Sequence, residues 1–259
     1  EPTARPLVQP SQGVHLVVSA DFLPGPDALM IPKTDDGRVL FAVPWQGRVL
    51  LDTTDTPLPA ASSEPRAQEA EIDFILRTAG RYLTRAPSRA DVLSVYAGLR
   101  PLAAPTDGTT STKEISRSHK IIVSDSGLLT VVGGKWTTYR RMGQDVVDRA
   151  MQVGPLPAAP SGTAHQPIHG AQPTSDHRAP LAAYGTDAPA LRQLMREQPE
   201  LTQKLLPDFD FTHAEVVWAA RYELARTVED VLARRVRLLF LDARAASRAA
   251  PVVAELLAR

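Results

Sequence analysis

The sequence predicts an α+β fold: an antiparallel sheet with a covering helix, then a strand–turn–helix segment, then an all-helical C-terminal unit. Three observations predict it. β-rich runs separated by two-residue turn signals follow one another through roughly the first hundred residues. A strand, a glycine pair and a helix follow in "SGLLTVVGGKWTTYRRMGQDVVDRA", Ser126 to Ala150. From Asp176 onward the chain is rich in Ala, Leu and Arg at helical spacing.

The elements follow in order. The leader "EPTARPLVQPSQG" is Pro-rich and starts without Met, so the chain reads as an internal piece of something longer. "GVHLVVSA", Gly13 to Ala20, is the first predicted strand. Asp35-Asp36-Gly37 between two apolar runs predicts a hairpin. A turn at Gln46-Gly47 leads to a further strand over Arg48 to Thr54. Ile72, Ile75, Leu76, Ala79 and Leu83 fall on one face of a helix, with Ser63 as its expected cap and Pro65 in its first turn. "DVLSVYAGLRPLAAP" reads as a strand that enters a loop at Gly98, and "HKIIVSDSGLLTVV" as a hairpin about Asp125-Ser126-Gly127. The helix after the glycine pair carries Tyr139, Met142, Val146 and Ala150 on one face. Residues 152–175 are Pro-, Gly- and Ala-rich without periodicity and read as a linker. In the tail, Thr212-x-x-Glu215 and Thr227-x-x-Asp230 have the form of capping boxes, and four or five helices are expected.

Composition excludes several classes. The 259 residues carry 29 basic and 29 acidic side chains, so no global field draws the chain to nucleic acid. With no cysteine there are no disulfides and no Cys–zinc sites. No apolar run approaches the roughly 20 residues of a membrane span. His165-x-x-x-His169 lies in the linker, where no helix aligns it, so no metal site is expected. Arg234, Arg235 and Arg237 read first as a solvated helix face with internal ion pairs, for example to Glu229 and Asp230; a membrane-surface or nucleic-acid role is the alternative.

Polar groups that stand at strand ends beside glycines are the candidates for chemistry. His15 lies two residues after Gly13 in an apolar strand, Arg100 follows "YAGL", Arg117 and His119 sit in "ISRSHK", and Lys135 follows Gly133-Gly134. Taken singly, such residues are most often a core histidine or surface ion pairs. Together, two arginines, a lysine and a histidine suit a small phosphorylated or carboxylated substrate. The glycine turn matches neither nucleotide fingerprint. A dinucleotide loop needs G-x-G-x-x-G, and a P-loop needs glycine and Ser or Thr where this chain has Leu129 and Trp136.

"GVHLVV", "TDDGRVLFAVPW", "DTTDTP", "YAGLRPL", "ISRSHKI", "SGLLTVVGGKWTTYRRM" and "ARTVEDVLARRVRLLFLDARAA" occur in that order. Together they resemble the FAD-dependent glycerol-3-phosphate dehydrogenases and the related glycerophosphate oxidases. The resemblance runs from about Gly13 to Ala246. It implies a substrate-binding antiparallel sheet over residues 1–112, the last strand, turn and helix of a flavin domain over 113–151, the linker 152–175, and a C-terminal helical domain over 176–259. It implies oxidation of sn-glycerol 3-phosphate to dihydroxyacetone phosphate by hydride transfer to FAD. Electrons would pass to quinone, or to oxygen in the oxidase branch. Arg100 and Arg117 would hold the substrate phosphate, His15 would take or orient the C2 hydroxyl proton, and Lys135 would stabilise developing negative charge. Gly133, Gly134, Lys135, Thr137 and Thr138 would lie on the flavin side.

The chain departs from the family in lacking its N-terminal G-x-G-x-x-G unit. Little FAD binding and no turnover are therefore expected of these residues alone. An uncovered apolar face on the 139–150 helix invites self-association, a homodimer among the forms open to it. The parent enzyme is expected in the cytoplasm, peripheral on the inner face of the cytoplasmic membrane. A noncatalytic phosphate-ligand or interaction module is the competing reading.

Overall fold

A computed structural model describes residues 6–35, 37–52, 54–104, 118–172 and 181–258. Arg117, a predicted phosphate ligand, lies outside them. The fold is α+β, built on one long strand. β1 (Val8–Ser19) pairs antiparallel with β4 (Arg48–Asp52) and with the two-residue β5 (Thr56–Pro57), and along residues 8–17 with β6 (Ser94–Ala103). β2 (Leu29–Ile31) and β3 (Leu40–Trp45) extend the sheet beyond β4. The Asp35-Gly37 turn closes with Gly37 N–H donating to the Thr34 carbonyl. At the β3–β4 turn Gln46 and Gly47 both have positive φ, 47° and 74°, the twist that a two-residue hairpin needs.

Two predicted boundaries move. Val8 to Gln12 of the Pro-rich leader are strand, because β6 offers a full-length partner there: Pro10 faces Pro101, and Gln12 faces Leu99. The strand expected to stop at Gly98 runs on to Ala103 for the same reason. Both were hidden because the pairing is long-range while Pro and Gly are local signals.

Helix α1 (Glu69–Ala79) covers one face of the sheet. Ile75, Leu76 and Ala79 pack on Val14, Leu16, Val18, Leu40 and Leu51. Its cap is Gln68 with Glu71, not Ser63. Glu71 does more than cap. Its buried carboxylate accepts from Gln68 N (2.8 Å), Gln12 Nε2 (2.7 Å), Thr54 Oγ1 (3.0 Å) and Thr56 Oγ1 (2.6 Å), which pins the helix to β1 and β5.

β7 (His119–Val123) and β8 (Leu129–Gly133) form a hairpin whose turn has Gly127 at φ 81°. A 3₁₀ turn over Trp136–Thr138 leads into α2 (Tyr139–Val153), which buries no residue fully. α2 is tied to β7 by His119 Nε2 and Asp145 Oδ2, 3.1 Å apart, with Arg141 also on Asp145.

The helical unit has its own core. α3 (Ala188–Glu197), α4 (His213–Tyr222), α5 (Leu238–Leu241) and α6 (Ala243–Leu257) close on Leu191, Val216, Trp218, Val231, Leu238 and Val253. Both predicted capping boxes form. Thr212 N donates to Glu215 at 2.7 Å, and Thr227 and Asp230 exchange bonds of 3.0 Å at the start of a π-helical turn, Asp230–Arg235.

Candidate functional site

Alternation along β1 divides its side chains. Val14, Leu16 and Val18 face α1, while Ser11, Gly13, His15 and Val17 face the other way. The β1–β6 register puts Arg100, Gly98, Tyr96 and Ser94 opposite those four, and the β1–β4 register puts Asp52 opposite His15. The sheet face away from α1 thus gathers His15, Asp52, Tyr96 and Arg100.

His15 Nε2 lies 2.9 Å from Asp52 Oδ1. The imidazole stacks on Tyr96, with ring centroids 5.0 Å apart and 12° between planes. Nδ1 is buried with no hydrogen-bond partner among the described residues. Tyr96 in turn meets Phe240 of α5 at 4.7 Å. Burial, with the Asp52 charge beside it, pushes the Tyr96 hydroxyl up to about 12; Arg237 opposes the shift. Tyr96 is therefore a neutral platform at any physiological pH.

Arg100 is fixed rather than waving. Its Nη1 donates to the Thr54 carbonyl at 3.0 Å and lies 3.7 Å from the Asp55 carboxylate, which is almost wholly buried and also accepts from Ser11 Oγ. The guanidinium rests on Gly13. A Cβ built there would fall 2.6 Å from Nη2, so only glycine admits this pose. That seat lies two residues along β1 from His15, roughly 7 Å.

The glycine turn meets the far end of β6. A Cβ at Gly133 would lie 3.0 Å from the Ser118 carbonyl oxygen and 3.5 Å from the Ala103 Cβ; one at Gly134 would run into Met142. Both glycines have positive φ, 74° and 84°. Their small size thus serves the packing of β8 against β6 and α2, a local reason the sequence did not reveal. Beyond them Lys135, Trp136, Thr137 and Thr138 are exposed. The Lys135 ammonium makes no hydrogen bond or ion pair among the described residues. Thr138 Oγ1 donates to the Lys135 carbonyl at 3.0 Å.

The structure therefore joins His15 and Arg100 on one face and sets the glycine turn against the Ala103 end of β6. Asp52, Tyr96 and Phe240 were missed. Only the strand register and the docking of α5 reveal them, and neither has a local signal. Among the described residues no cluster of His, Asp and Glu is built to hold a metal, and no helix is long and apolar enough to cross a membrane.

Residues 1–140 match the family model described as FAD dependent oxidoreductase, and the chain belongs to that family. Residues 128–259 match the C-terminal domain of alpha-glycerophosphate oxidase. Among curated proteins the chain is 37% identical to the mitochondrial glycerol-3-phosphate dehydrogenase SDP6 of Arabidopsis thaliana, over 98% of this chain and 45% of that protein. It is 36% identical to the human mitochondrial glycerol-3-phosphate dehydrogenase, over 99% of this chain and 38% of the relative. A solved structure of the glycerol-3-phosphate dehydrogenase from Bacillus halodurans complexed with FAD superposes with a TM-score of 0.73 at 26% identity, covering 97% of this chain and 53% of that one. The chain spans less than half the length of these curated relatives.

Proposed function

We propose that this chain supplies the substrate face and the C-terminal domain of a flavin-dependent glycerol-3-phosphate dehydrogenase. The observation that carries the reading is the Arg100 guanidinium held over Gly13 on the sheet face that also bears His15. The substrate phosphate is held by Arg100 through charge-assisted hydrogen bonds, with Arg117 as a second ligand. The C2 hydroxyl then lies toward His15, which takes or orients its proton while Asp52 holds the ring. Lys135, exposed and uncommitted, stabilises the developing alkoxide. The exposed edge formed by Lys135, Thr137 and Thr138 after Gly133-Gly134 fits the ring end of FAD, and the chain has no dinucleotide loop for the diphosphate end. When bound, the flavin supplies the acceptor for the C2 hydride, leaving dihydroxyacetone phosphate.

Electrons pass on to a quinone, which sets the enzyme on the inner face of the cytoplasmic membrane. The match to the alpha-glycerophosphate oxidase C-terminal domain favours oxygen as the second reading. Stoichiometric peroxide in air would select it. In the complete enzyme, Arg100→Gln should raise KM for glycerol 3-phosphate about 10- to 100-fold, as expected for loss of one charged contact of a few kcal/mol. His15→Ala should lower kcat at least about 100-fold, and unchanged values for both would defeat the reading.

A further inference from the structure

We infer that the helical unit carries a binding site of its own for a small organic anion, in the cavity between its helices and the β3–β4 turn, with Arg237 as the anion ligand. The cavity holds about 330 Å³, at the lower end of the range of small-molecule sites. Phe211 and Val236 give it an apolar wall, and Gln46 enters from the sheet side.

The charges on its wall are spoken for, with one exception. Arg234 is bound to Glu229 at 2.5 Å and to Asp230 at 3.1 Å. Arg235 donates to the Glu223 carbonyl and pairs with its carboxylate at 3.6 Å. The Glu215 carboxylate accepts from Thr212 N at 2.7 Å, Thr212 Oγ1 at 3.1 Å and Tyr184 OH at 3.2 Å. Burial pushes both carboxyls, Glu215 and Glu223, above their usual range. Among these charged groups the Arg237 guanidinium alone makes no hydrogen bond or ion pair among the described residues, though its charge is felt at Tyr96. It also stands in the left-handed region at φ 59°, as does Gln46 at 47° on the facing wall. Such a backbone is costly for a side chain, and a fork of five donors held there over an apolar wall suits a carboxylate or a phosphate monoester bearing an apolar group.

The probes are phenyl phosphate and benzoate, with inorganic phosphate as the case lacking an apolar group. In thermal melts of this chain, phenyl phosphate or benzoate at about ten times its dissociation constant should raise Tm by about 2–4 °C. The rise should persist in Arg100→Gln, which separates this site from the sheet-face site, and vanish in Arg237→Gln. Arg237→Gly is the second variant. Glycine relaxes the left-handed residue, so the unliganded Tm should hold or rise while the ligand-induced rise disappears. A rise retained in Arg237→Gly, or no rise in the wild type with either organic probe, would overturn the proposal. Inorganic phosphate matching phenyl phosphate would overturn the role of the apolar wall.

Discussion

At the scale of single residues, the candidate site is governed by what cannot be enlarged and what cannot ionise. Gly13 is the clearest case. Replacing it with Ala puts a methyl group where the Arg100 guanidinium lies. The guanidinium must then shift, so Gly13→Ala in the complete enzyme should raise KM for the phosphorylated substrate, though by less than loss of Arg100 itself. Steady-state kinetics with a phosphate-free analogue as control measures this. Tyr96 cannot serve as a base with its hydroxyl at about 12. Its role is to hold the His15 ring from below, so Tyr96→Phe should keep kcat/KM within about threefold, while Tyr96→Ala should cost about 2- to 10-fold beyond it, the worth of one ring stack. His15 and Arg100 were legible from the sequence, because a polar residue beside glycine in an apolar run stands out. Asp52 was not, because its meeting with His15 depends on a register set by the whole hairpin.

At the scale of elements, buried carboxylates fasten helices to their surroundings. Glu71 joins α1 to β1 and the β5 segment through three accepted hydrogen bonds, from Gln12, Thr54 and Thr56, and caps the helix with a fourth. Glu71→Ala leaves Gln12 and two threonines with unmade bonds in a buried site and should destabilise the sheet unit by about 2–4 kcal/mol, read from denaturant midpoints. Glu215 behaves differently, since burial outweighs its hydrogen bonds and raises its pKa in the folded state. The folded chain therefore holds this proton more tightly than the unfolded one. The stability linked to it is fully present below the ordinary carboxylate value and falls as pH rises through the raised one, at a slope of up to about 1.4 kcal/mol for each pH unit crossed between the two. Glu215→Gln should flatten that part of the Tm–pH curve, and an unchanged slope would contradict the assignment. The capping boxes of the tail were readable because a cap is a four-residue pattern. The cap of α1 was misread at Ser63 because Gln68 is an uncommon cap residue.

At the scale of the whole molecule, the sheet and the helical unit meet through α5 and the β3–β4 hairpin. Ser94 Oγ donates to the Leu239 carbonyl at 2.9 Å, Tyr96 meets Phe240, and Arg48 lies over the Phe209 ring at 5.1 Å. The α+β class was legible because each half of the chain has its own period, but nothing local foretold how the halves meet. The hairpin and α2 leave Ile122, Leu128, Val131, Trp136, Tyr139 and Val147 exposed. The chain should accordingly associate with rising concentration, and Val131→Thr with Val147→Glu should restore a monomer by sedimentation velocity. The long central strand has a further consequence, in time rather than in space. Val8 must find Ala103, and Val17 must find Ser94, before the sheet can close. The helical unit needs only contacts among its own neighbouring helices. Refolding from denaturant should therefore be biphasic, with helical signal returning first and the sheet waiting for its two distant edges to meet.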